Sequence, residues 1–264
     1  MSSKKIFLLI AGILIIFGVL YALSRKGQNM QTNSQMLEGE SDSNIEAIDA
    51  LYYKQSKGFF AKPKGAGSFP AVVMVHEWWG LNQNIKDMAK ELAREGYMVL
   101  AVDLYNGRVA AAPEEAQKLV GALNQDEATA NMRAAAQFLK NNGASKLASL
   151  GWCFGGGQSL KLALSGEPLD ATVIYYGNLT SDKNQLAKIK WPVLGIFGED
   201  DQAVPVSSVR DFEAALDSLN IQKDIHIYPG VGHAFANPSG ANYAPNETKD
   251  AWAKTLAFLG ANLK

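Results

Sequence analysis

Residues 147–157 read LASLGWCFGGG. The first six are apolar or small, as a strand buried on both faces requires. From Phe154 onward the pattern becomes helical, so the chain turns from strand to helix within Gly151-Trp152-Cys153-Phe154-Gly155. A bend that tight leaves no room for side chains beside it, which explains a glycine on each flank of Cys153. The pattern is the Gly-x-nucleophile-x-Gly elbow, with cysteine where serine usually stands. An elbow lifts its central side chain at a helix N-terminus, where the positive end of the dipole favours an anionic sulfur. The plainer reading is a glycine-rich turn holding a small buried cysteine. It leaves unexplained both the further Gly156-Gly157 pair and the strand immediately before.

Outward from this point, strands and helices alternate. Residues 70–76 (PAVVMVH) form a short, fully apolar, β-branched run. Residues 84–95 carry Ile85, Met88, Ala89 and Leu92 at helical spacing, and Gly96 stops them. Residues 97–102 (YMVLAV) are the next strand, and 113–141 read as two helices divided around Asn124-Gln125. Further strands fit 172–176, 193–197 and 225–228, and further helices fit 207–219 and 247–263. Before them, 45–61 reads as an antiparallel hairpin with Lys62-Pro63-Lys64-Gly65 as a turn. Repeated strand–helix units predict an α/β fold with a mostly parallel central sheet and helices on both faces. In such sheets, reactive groups collect at the carboxyl ends of the strands.

A nucleophile of this kind needs a base later in the chain and an acid between them. Of three histidines, His226 sits within a strand and His76 ends one, whereas His233 lies in a loop after the last strand. In FGEDDQAVP the strand ends at Gly198 and carboxylates follow; the spacing to Val204-Pro205 favours Asp201 over Asp200. The order Cys153, Asp201, His233 is the one expected of the α/β-hydrolase fold. The segment His76-Glu77-Trp78-Trp79-Gly80-Leu81-Asn82 leaves the first buried strand, where that fold supplies half of its oxyanion hole. The expected donors are the backbone N–H groups of Trp78 and Phe154. Glu77 is an unusual carboxylate for this loop and reads either as part of the site or as a surface residue.

Composition narrows the partners. With 25 basic and 26 acidic side chains the formal charge is −1, and no basic stripe interleaves with aromatics, so nothing points to nucleic acid. A single cysteine excludes an intramolecular disulfide and the zinc and redox motifs built on cysteine pairs. No metal or cofactor is expected, and the oligomeric state stays open. Residues 6–23, after Lys4 and Lys5, are eighteen in a row without charge. As a helix they reach roughly 27 Å, against about 30 Å of bilayer core. Two readings of residues 1–26 stand: an uncleaved anchor, favoured by the length of the run, and a cleaved secretory signal. Either places the following domain outside the cytoplasm. Residues 27–44 read as a polar linker and 45–264 as the catalytic domain.

With these residues assembled, the chain resembles the dienelactone hydrolase family over about residues 45–264, through HEWWGLN, VDLYNGR, GWCFGGG, GEDDQAVP and GVGHAFAN. The resemblance implies an α/β-hydrolase fold and hydrolysis of a small-molecule lactone or ester through an acyl-thioester on Cys153. It implies His233 as base then acid, oriented by Asp201, and Glu77 as a group that contacts the thiol or its partners and helps form the thiolate. Archetypes of the family hold a substrate carboxylate with two arginines. Arg108 stands one position late for the first, and Asn237 stands where the second is expected. A neutral amide gives no charge-assisted grip. The alternatives are therefore an esterase or thioesterase acting on neutral esters, or a tethered binding protein without chemistry.

Overall fold

The computed structural model describes residues 44–264. The segment 1–26, the membrane reading of 6–23 and all of the 27–44 linker except Asn44 lie outside the described residues. Among the described residues, no helix is long and apolar enough to cross a membrane.

One sheet of eight strands organises the rest, in the order β1-β2-β4-β3-β5-β6-β7-β8. The strands are β1 (Ile45–Tyr53), β2 (Ser56–Pro63), β3 (Phe69–Val75), β4 (Met98–Val102), β5 (Ala144–Trp152), β6 (Ala171–Tyr175), β7 (Val193–Gly198) and β8 (Lys223–Tyr228). β1 and β2 form the antiparallel hairpin and β2 pairs antiparallel with β4; every later neighbour is parallel. The turn expected at 62–65 begins later than the sequence suggested, because Lys62 and Pro63 still pair with Glu46 and Ile45. Proline is tolerated there because it closes the strand, where a missing N–H breaks no interior ladder.

β3 shows why the central strands read as unbroken apolar runs. Ala71, Val73 and Val75 enter one core with Met98, Leu100 and Val102. Val72 and Met74 enter the other with Val99 and Ala101. A strand with a core on each side has no face to spare for polar residues. Helices α1 (Gln83–Arg94) and α7 (Pro245–Leu263) cover the second core. Helices α2 (Pro113–Gly121), α3 (Gln125–Asn141), α4 (Phe154–Leu164) and α6 (Val206–Ser218) cover the first. The division anticipated at Asn124 is a cap: its side chain accepts from the Glu127 N–H at 3.1 Å, as Asn82 does from Ile85 at 3.2 Å for α1. A one-turn helix, α5 (Lys183–Leu186), was not legible in the pattern; the Asp182 side chain caps it.

Because β3, β5, β7 and β8 run parallel, the loops that leave them emerge at one edge of the sheet. His76-Glu77, Cys153, Asp201 and His233 lie on those loops.

Candidate active site

Cys153 occupies the sharpest of these exits, with φ 54° and ψ −119°, a region that side chains rarely adopt. The glycines around it have no alternative. A Cβ on Gly151 would stand 2.2 Å from the Gly155 carbonyl oxygen, and one on Gly155 would stand 2.3 Å from that of Val75. The Cys153 N–H donates to Tyr175 O at 3.0 Å, so β6 holds the elbow in place. Its sulfur lies 3.1 Å from His233 Nε2.

His233 Nδ1 is 2.8 Å from Asp201 Oδ2. A carboxylate accepts, so the hydrogen sits on Nδ1 and Nε2 faces the sulfur. Asp201 is buried, and its Oδ1 accepts from the N–H groups of Ala203 (2.8 Å) and Val204 (3.0 Å), which fixes the carboxylate. The neighbouring Asp200 is exposed. Burial opposes a charge on His233, but the hydrogen bonds to Asp201 and Cys153 outweigh it and push the imidazole up to about 10. Both partners therefore favour the charged ring. Asn242 Nδ2 donates to His233 O at 2.9 Å and steadies the loop.

Glu77 is buried beside this pair. Its Oε2 accepts from Asn237 Nδ2 at 2.5 Å. Asn237 Oδ1 in turn accepts from the N–H and hydroxyl of Ser239 at 2.9 and 2.8 Å, which settles which way the amide faces. Burial raises the Glu77 carboxyl to about 7, against the lowering effects of the His233 charge and the Asn237 bond. The loop carrying Glu77 and Trp78 comes off β3 flush with the start of α4; a Cβ on Gly155 would also meet His76 O at 2.5 Å. Phe154 is the first residue of α4, so its N–H has no partner within the helix.

The structure thus brings together Cys153, His233 and Asp201, and joins Glu77 to Asn237. Asn237, expected to face substrate, is buried with both ends of its amide occupied. Arg108 is exposed and bonds back through Nε to Tyr105 O at 3.3 Å rather than toward the triad. It lines an open groove of 990 Å³ together with Leu81, Lys57 and Tyr105, while no member of the triad does. The groove offers only space, whereas the Cys153 sulfur touches an imidazole held by a buried carboxylate, so Cys153, His233 and Asp201 make the candidate site. The sequence reading passed over Ser239, whose signal is the Asn-x-Ser spacing of an Asx turn, and gave His76 no role beyond ending a strand. Among the described residues no cluster of His, Cys, Asp and Glu could hold a metal ion.

Known proteins resemble the chain along most of its described length. The sequence model described as "Dienelactone hydrolase family" matches residues 56–263. Protein usf of Aquifex pyrophilus is 34% identical over 214 residues, covering 77% of this chain and 92% of that protein. A protein of Saccharolobus solfataricus described as "Putative carboxymethylenebutenolidase" is 30% identical over 242 residues, covering 77% and 93%. A crystal structure from Klebsiella pneumoniae, described as that of a "Putative Dienelactone Hydrolase", superposes with a TM-score of 0.75 at 28% identity, covering 82% of this chain and 98% of that one.

Proposed function

This chain belongs to the dienelactone hydrolase family and is a hydrolase of that type, and on this premise we propose that it cleaves a carboxylic ester or lactone by attack of Cys153. The observation supporting this most directly is the 3.1 Å contact between sulfur and His233 Nε2, with Nδ1 held by buried Asp201. His233 takes the thiol proton and the sulfur adds to the carbonyl carbon. The oxygen that becomes negative rests on the N–H groups of Trp78 and Phe154. Collapse expels the alkoxide, which His233 protonates. Water, activated by the same ring, then releases the acid and restores the thiol. Glu77 is a second proton acceptor for the thiol once substrate parts it from Asn237. The scheme calls for no cofactor.

A second reading concerns charge, and Asn237 favours it. Its amide is already spent on Glu77 and Ser239, and a substrate carboxylate placed there would meet buried Glu77 without a cation. Neutral esters or thioesters suit that corner better than an anionic lactone. Arg108 remains the candidate for binding substrate from the groove side. We also propose that residues 6–23 anchor the domain at the outer face of a membrane, or export it if cleaved. Carbonate extraction and N-terminal sequencing of the native protein distinguish the two.

The test uses the full-length protein in detergent, assayed on short acyl esters and on anionic lactones of equal size. Cys153→Ala should abolish turnover; wild-type rates in that variant would remove the reading. A protein that only binds would alkylate at Cys153 slowly, with no shoulder in rate below neutral pH.

A further inference from the structure

His76 takes no part in the chemistry just described, yet it touches both segments that carry the proposed oxyanion donors. It is fully buried, its ring 4.8 Å from that of Tyr105 and stacked at 5.9 Å, 21° from parallel, on Phe154. Its Nε2 is 3.2 Å from the backbone nitrogen of Leu104, which follows β4. A backbone N–H can only donate, so Nε2 bears no proton and the neutral ring carries its hydrogen on Nδ1. Burial disfavours the charged ring and keeps this form in place. Nδ1 therefore donates, at 2.5 Å, to the carbonyl oxygen of Glu77.

The partner is what gives this bond consequence. The Glu77–Trp78 peptide is trans, so the Glu77 carbonyl and the Trp78 N–H lie in one rigid plane and point in opposite directions. Whatever fixes the oxygen also aims the hydrogen. The carbonyl has one other donor, the Gly80 N–H at 3.2 Å across a tight turn. A single long turn bond allows the plane to tilt; a second, short bond from a packed ring restrains it.

We propose that His76 is a positioning residue for hydrolysis, clamping the Glu77–Trp78 peptide so that the Trp78 N–H stays aimed at the developing oxyanion. This rests on the oxyanion assignment made above. A purely structural histidine would need only the tie to Leu104.

Two variants separate these roles. His76→Asn sets an amide nitrogen where Nδ1 stands and keeps the donor to Glu77 O; His76→Leu, of similar size, removes it. Both lose the ring and the acceptor for Leu104, so both should lose stability alike. In full-length protein, His76→Asn should keep kcat within about threefold of wild type. His76→Leu should lower kcat roughly ten- to a hundredfold with KM unchanged, since misdirecting a donor costs up to what deleting it does. Affinity for a trifluoromethyl ketone, which forms a tetrahedral adduct with a thiol, should fall by the same factor. Equal kcat and equal ketone affinity in the two variants would overturn the proposal, as would an effect confined to KM. Should neither variant fold, the ¹⁵N-histidine spectrum of the wild type decides: protonation of His76 at Nδ1 is required, and protonation at Nε2 overturns it. Mass spectrometry of the wild type during turnover tests the premise separately, because no acyl group on Cys153 would end the catalytic reading itself.

Discussion

Replacing Glu77 by glutamine should make the protein more stable, and only above a particular pH. Burial raises this carboxyl from its usual 4.5 to about 7, with the His233 charge and the bond from neutral Asn237 opposing the shift. Between those two values the folded protein holds a proton that the unfolded chain has released, so stability falls as pH rises through this window and levels off above about 7. At about 1.4 kcal/mol per pH unit, the displacement amounts to about 3 kcal/mol at pH 8 relative to pH 4. Glutamine has nothing to ionise and can still accept from Asn237 Nδ2. The difference in unfolding free energy, Glu77→Gln minus wild type, should therefore climb by about 3 kcal/mol from pH 4.5 to pH 8. Urea unfolding of the two proteins at half-unit steps measures it, and the titrations of groups remote from Glu77 cancel in the subtraction. A difference constant to within about 0.5 kcal/mol across that range would mean Glu77 ionises as an ordinary surface acid, and the burial argument would be wrong.

Three further outcomes follow from the same geometry. Asp201→Asn removes a main cause of the elevated His233 value and the acceptor that fixes its tautomer, so kcat on a short ester should fall by about 10⁴ and the basic side of the pH–rate profile should shift. Gly155→Ala drives a methyl group into the carbonyl oxygens of Val75 and His76, both backbone; a loss of about 3 kcal/mol or more by thermal unfolding is expected, and an unchanged melting temperature contradicts the packing described here. Asn237→Arg places a cation against Glu77, so the carboxyl should titrate lower, the pH-dependent loss of stability should shrink, and kcat/KM for anionic lactones should rise at least about tenfold relative to neutral esters.

The fold was readable because its strands obey a constraint that composition cannot hide. β3, β4 and β7 lie between two cores, so each appears as a run of four or more apolar residues, bounded by turn residues or by the start of a helix. Helix α1 announced itself through Ile85, Ala89 and Leu92, which all face one core. The short helix α5 gave no such signal: four residues do not complete an amphipathic period, and a local cap from Asp182 holds them. The boundary near Pro63 was misjudged because proline marks turns on average, yet at the outer end of a strand it costs no ladder bond.

At the site, legibility followed from whether a role resides in a residue type or in a contact. Cys153, Asp201 and His233 could be found because the elbow, a carboxylate after a strand and a histidine in a late loop are chemical identities in a fixed order. What Asn237 does could not be found that way. Its side chain suits a substrate as well as it suits Glu77, and only the two bonds from Ser239 decide which way its amide faces. The consequence reaches the carboxylate: a neutral donor leaves Glu77 titrating near neutrality, whereas an arginine would hold it ionised. A single substitution at position 237 thus changes the charge of the site without touching Cys153, and on the function proposed above the choice of substrate is better sought in the contacts around Glu77 than in the triad.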